Sequence, residues 1–150
     1  MKKGFTLIEL LLVIGILVVL IAATVVAVNP FRQFALANNA NRWSGLTTIM
    51  DATYQNIIDN RGVFDDSNCP GAAIPTAPTE MGSGATQYDI CGCIVPTYVA
   101  NLPRDPQDGS YTDCAAYDSG YTIERNPTSG RISLCAPSAQ APETTICVTR

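Results

Sequence analysis

Apolar positions recur differently in three stretches of the chain. From Leu10 to Val28 hydrocarbon side chains are interrupted only by Gly15 and Thr24, with no charge among them. As a helix these nineteen residues would span about 28 Å at ~1.5 Å per residue, close to the ~30 Å hydrocarbon core of a bilayer. The length predicts one membrane span; a buried core helix is expected from runs of about 10–14 residues. A cleavable secretory signal would be shorter and end in small residues, and here the run continues past Ala22-Ala23.

After Pro30 the period becomes that of a half-buried helix. Leu46, Ile49, Met50, Thr53 and Ile57 fall on one face, leaving Asp51, Gln55, Asn56 and Asp59 on the other sides. Gly62, after Asn60-Arg61, is positioned as a left-handed C-cap. Pro30 lacks an amide proton and predicts a kink or interruption near Val26. A helix from Thr6 to Asn60 would be about 80 Å long. A small domain cannot bury such a rod, so something outside the domain must cover half of it.

The third stretch is irregular. "DDSNCPGAAIPTAPTEMGSGATQ" reads as an extended surface loop. In "CIVPTYVANLPRDP", Tyr98 and Leu102 are the expected core anchors. "GYTIER" and "RISLCA" flank "NPTSG", a hairpin signature, and "TTICVT" is a third strand candidate. The fold class expected is α+β: a long N-terminal helix, hydrophobic then amphipathic, packed against a small antiparallel sheet.

Charge orients this arrangement. Lys2 and Lys3 precede the span and, by the positive-inside rule, stay cytoplasmic, so everything after Val28 is exported. Cys69, Cys91, Cys93, Cys114, Cys135 and Cys147 all lie on that side, an even number in a small region. Disulfides suit an oxidising compartment and a domain with a thin core. A zinc site would favour C-x₂₋₄-C pairs, often with histidine; the chain has no histidine, and its tightest pair is Cys91-Gly92-Cys93. Cys135 and Cys147 flank a Pro-rich connection between strand candidates and are one expected bridge.

One residue disturbs the apolar start. Glu9 places a carboxylate at the mouth of the span, where its cost is smaller than at the centre and the helix dipole offsets part of it. One reading is a helix-start residue tolerated at the interface. The other is a carboxylate awaiting a cation, such as the amine that a cut between Gly4 and Phe5 would create.

The stretch "KKGFTLIELLLVIGILVVLIA" resembles the class III signal of type IV prepilins and type II secretion pseudopilins. The matching features are a short basic leader, Gly4 before the cut, Phe5 after it, and Glu9 as the fifth mature residue. The continuation to Phe64 is similar to the pilin helix, and "LPRDP" to an element of pseudopilin headpieces. The resemblance implies cleavage after Gly4 by a prepilin peptidase and methylation of Phe5. It also implies assembly in which Glu9 meets a neighbour's amine. The implied domains are a leader 1–4, a hydrophobic helix 5–28, its amphipathic continuation 29–61 and a disulfide-stapled headpiece 62–150. Partners would be the peptidase, copies of itself and related pilins in a helical filament, and an inner-membrane assembly platform. The destination would be a surface pilus or a periplasmic pseudopilus, reached from a single-pass membrane precursor.

The exported part from Phe31 holds seven arginines and twelve acids, a net −5, opposite in sign to what sequence-blind nucleic-acid binding requires. Arg125 and Arg131 flank the hairpin turn as an expected solvated pair. Asp105, Asp108, Asp113 and Asp118 supply hard oxygens on one short loop, and some major pseudopilins hold calcium in the corresponding region. Their spacing is not that of an EF-hand, Asp-Pro and Asp-Gly are ordinary turn dipeptides, and Cys114 departs from the calcium-binding pattern. Calcium is therefore a minor alternative to no cofactor. Without histidine no Ser-His-Asp or Cys-His arrangement exists, and no phosphate-cradling loop appears, so an enzyme is not expected. The leading function is a structural pilin or pseudopilin subunit. The alternatives are a minor or tip subunit, a membrane-tethered binding module, or a subunit specific to a type II secretion pseudopilus.

Overall fold

The computed structural model describes residues 4–64 and 73–150. The chain divides into two compact units, Met1–Ala35 and Leu36–Arg150.

Helix α1 covers Leu7–Val28 and buries none of its side chains. It is the one helix among the described residues long and apolar enough to cross a membrane. The interruption attributed to Pro30 falls three residues later than Val26, at Asn29. Asn29 adopts φ 47°, left-handed, and ends α1. Helix α2, Pro30–Asp59, then begins on the proline itself. A proline needs no amide partner in a first turn and its ring presets helical φ, so Pro30 starts a helix here instead of kinking one. Asn29 serves both ends, its carbonyl and side chain accepting from the Arg32 N–H at 3.1 and 3.4 Å.

Within the second unit α2 presents Leu46, Ile49, Met50 and Thr53 to the core as its spacing predicts, with Ile57 partly buried at the edge. Asn56 is a correction. It is fully buried, and its side-chain amide donates to the Cys93 carbonyl at 3.0 Å. At positions 53 and 56 the stripe is three residues apart, so a short polar side chain continues it. Gly45 lies on the same face: a methyl there would sit 3.1 Å from the Tyr121 hydroxyl and 3.4 Å from Pro103 Cβ. The helix ends in a Schellman turn, the Gly62 N–H bonding to the Ile57 carbonyl (2.7 Å) and Arg61 N–H to that of Ile58 (3.3 Å). Arg61 and Gly62 both take positive φ, 60° and 94°, and these bonds put Arg61 at the left-handed C′ position expected of Gly62, which follows it at C″.

The five strands form one antiparallel sheet: β1 (Thr79–Gly82), β2 (Ser110–Asp113), β3 (Ala116–Arg125), β4 (Ile132–Ala136) and β5 (Ile146–Thr149), with a short helix α3 (Cys91–Ile94) after β1. The order is β1-β3-β4-β5, and β2 pairs with the start of β3. The hairpin read from "GYTIER" and "RISLCA" is β3–β4, with Ile123 opposite Leu134 and Thr122 opposite Cys135. Alternation sends Tyr117, Ser119, Tyr121 and Ile123 inward from β3, and Ile132, Leu134 and Ala136 from β4. They close on Leu46, Ile49 and Met50 as one core.

Two expectations change in this unit. Within the stretch read as a surface loop, Thr79–Gly82 is β1; the portion 65–72 lies outside the described residues. Leu102 is buried as an anchor, whereas Tyr98 is only partly buried and its hydroxyl donates to Asp59 at 3.0 Å. Two disulfides join described residues, Cys91–Cys114 and Cys135–Cys147, the latter the pair named from sequence. Cys93 is also disulfide-bonded, and Cys69 lies outside the described residues.

Candidate functional site

The N-terminal site is built by one capping arrangement. Gly4, Phe5 and Thr6 are outside the helix and exposed, so the Gly4–Phe5 peptide is not part of the α1 hydrogen-bond ladder. Thr6 is the N-cap, its hydroxyl accepting from the Glu9 N–H at 3.3 Å. The Glu9 carboxylate reaches back, accepting from the Thr6 N–H at 3.0 Å and the Thr6 hydroxyl at 2.8 Å. This is a capping box, and it satisfies orphan donors of the first turn reciprocally. Glu9 therefore has a partner within its own first turn. The reading of Glu9 as a carboxylate awaiting a cation overlooked Thr6, although "TLIE" matches the T-x-x-E signature. Phe5, the residue after the expected cut, is 84% exposed.

The headpiece holds a second constellation, which periodicity did not single out. Arg42 is fully buried and donates to both oxygens of the fully buried Asp105, Nε to Oδ2 at 2.6 Å and Nη2 to Oδ1 at 3.0 Å. Nη1 donates to the Asn39 Oδ1 at 3.0 Å, and Nη2 also to Gln107 Oε1 at 3.2 Å. The Asp105 carboxylate further accepts from the backbone N–H of Gln107 (2.9 Å) and Asp108 (3.1 Å). Burial alone would raise its pKa; the Arg42 hydrogen bonds, the two backbone donors and the Arg42 charge outweigh it and hold the carboxyl below its usual value. Tyr121 stands against this pair, its pKa pushed up to about 12 by burial and by the Asp105 charge. A sequence signal existed: Asn39 and Arg42 continue the Leu46–Ile49 stripe backward at spacings of three and four. The polar residue types masked it.

Three of the four aspartates proposed for calcium are engaged separately. Asp105 is held by Arg42; Asp113 accepts from the N–H of Ala115 and Ala116, at 2.9 and 3.0 Å. Asp118 accepts from the Gly120 N–H and the Gln87 side chain, both at 2.9 Å. Asp108 is exposed. Among the described residues no three acidic, cysteine or histidine side chains group as a metal site. The four carboxylates do not converge, so this donor set does not fit a calcium ion.

A cleft of about 400 Å³ opens between the end of α2 and the β3–β4 turn, lined by Tyr54, Ile57, Phe64, Ile74, Arg125 and Ile132 among others. Among the described residues that line it, most are apolar and Arg125 is the one charged side chain. Arg125 and Arg131 are both exposed.

No match was found among curated proteins or among solved structures. Residues 1–25 match the family described as the prokaryotic N-terminal methylation motif. That motif points to a structural subunit instead of an enzyme. The chain thus begins with the class III signal that type IV pilin and pseudopilin precursors carry, followed by an apolar helix and a disulfide-bonded α+β headpiece.

Proposed function

We propose that this chain is the precursor of a filament subunit. A prepilin peptidase cuts it between Gly4 and Phe5 and methylates Phe5, and it then polymerises through α1 into a type IV pilus-like filament. The match of residues 1–25 to the methylation motif carries this reading. Two features support it. The Gly4–Phe5 peptide stands outside the helix, where an extended segment can enter a peptidase cleft. All 22 residues of α1 are unburied within the chain, so they need lipid before assembly and other subunits after it.

In this reading residues 1–4 are the leader, 5–28 the span and filament core, 29–61 its continuation and 62–150 the headpiece. Copies of the chain, related pilins and an inner-membrane platform are the partners. The precursor is a single-pass membrane protein with a cytoplasmic N-terminus and an exported headpiece. Intact-mass analysis of protein from its native membrane tests the proposal. Loss of Met1 to Gly4 with a methylated Phe5 is expected, and Gly4→Arg should retain the leader. An unprocessed N-terminus, or a cut after Ala23, refutes it.

A further inference from the structure

Two different chemistries fasten α2 to the headpiece. From Leu46 onward the buried side chains are mostly apolar: Leu46, Ile49, Met50 and Ala52. Between Leu36 and Ser44 no apolar side chain is buried, and Leu36 and Trp43 are 40% and 44% exposed. What holds this first part is a set of six hydrogen bonds. Asn38 Nδ2 donates to Gln140 Oε1 (2.8 Å), Asn39 Nδ2 to the Gln140 carbonyl (2.6 Å), and Gln140 N–H to Asn39 Oδ1 (3.0 Å). Arg42 supplies the other three, two to Asp105 and one to Gln107. Gly45 stands at the border between the two parts.

We infer that residues 36–44 of α2 form a releasable strap, opening from the headpiece as a unit separate from residues 46–57. Lifting the strap takes no buried apolar side chain of its own into water, so on the helix side the hydrophobic effect does not oppose it. It also hydrates Arg42 and Asp105 together. The penalty of a lone buried charge, which makes breaking such a pair from one side so unfavourable, is then avoided. Water replaces the amide and guanidinium bonds nearly in kind. A glycine at the border lowers helical preference where the opening would stop. Residues 46–57 cannot follow without exposing the core. The headpiece thereby gains an adjustable connection to the chain that precedes it, whatever the chain assembles into.

Hydrogen exchange of the full-length protein in detergent, read by mass spectrometry, tests the strap. Amides 39–44 should exchange at least about tenfold faster than amides 49–56. Gln140→Ala removes the Asn38 bond from outside the helix and leaves helix propensity untouched. It should accelerate amides 39–44 by roughly two- to tenfold, the range expected for one hydrogen bond. Amides 49–56 should be unchanged. Equal acceleration on both sides of Gly45 means that α2 opens as one piece and overturns the inference. Equal protection in the unmodified protein, or no response of amides 39–44 to Gln140→Ala, overturns it as well.

Discussion

Asp105→Ala offers the sharpest test of how the headpiece holds its helix. The substitution removes the acceptor of two Arg42 hydrogen bonds and of the Gln107 and Asp108 backbone donors. Gln107 and Asp108 are exposed and regain water, so their loss is small. Arg42 keeps only Asn39 and Gln107 as acceptors around a buried guanidinium. Breaking a buried pair from one side costs about 3–5 kcal/mol. Because the strap can lift and hydrate Arg42, the lower end, about 3 kcal/mol, is expected. For a unit of this size that is roughly a 10–15 °C fall in midpoint. Near-UV circular dichroism of the full chain in detergent reads it, since Tyr117 and Tyr121 sit in the core. Arg42→Met combined with Asp105→Leu should recover most of the loss, because an apolar pair of similar volume leaves no charge to desolvate. The pair should also appear in the pH profile. The folded-state pKa of Asp105 lies below the unfolded value of about 3.9, so its contribution is fully present above that pH. It is lost as the pH falls through the lowered folded value, and the Asp105→Ala protein should lack that part of the acid decline. A midpoint within about 3 °C of the unmodified protein, or a double variant no better than the single one, would refute the reasoning.

Glu9→Gln keeps an acceptor for the Thr6 N–H and hydroxyl but brings no charge, so cleavage and headpiece folding should survive while filament yield collapses. Normal filaments in a strain lacking native subunits would retire the charge-pair role and leave the capping role. Peptide mapping without reduction should recover Cys91–Cys114 and Cys135–Cys147 linked peptides. Replacing both cysteines of either pair by alanine should lower stability by roughly 3 kcal/mol in urea melts, given loops of a dozen to two dozen residues. Gly62→Ala places a Cβ on a residue at φ 94° and should destabilise the headpiece by about 1 kcal/mol, whereas an unchanged urea midpoint would contradict the cap assignment.

Local pattern carried much of this protein. A charge-free run of apolar residues can only be satisfied by an apolar surrounding, and so α1 was legible before any contact was known. The Leu46–Met50 stripe and the β3–β4 hairpin were equally legible, since a helix face and a Gly-containing turn are decided by neighbours a few residues apart. The Thr6–Glu9 box was also local. Other features needed the folded chain. Asp105 lies 63 residues from Arg42, and each alone reads as a solvated charge; only packing α2 against the loop before β2 makes them a desolvated pair. Asn56 reads as surface until Cys93 supplies its carbonyl. Strands β1 and β2 are four residues each, too short to show a period, and exist because the long β3 offers them an edge. The same holds for the four aspartates. Sequence placed them on one loop, and the tertiary structure gave Asp105, Asp113 and Asp118 different partners and left Asp108 exposed, because a carboxylate in a folded chain goes to the nearest donor that packing holds in reach.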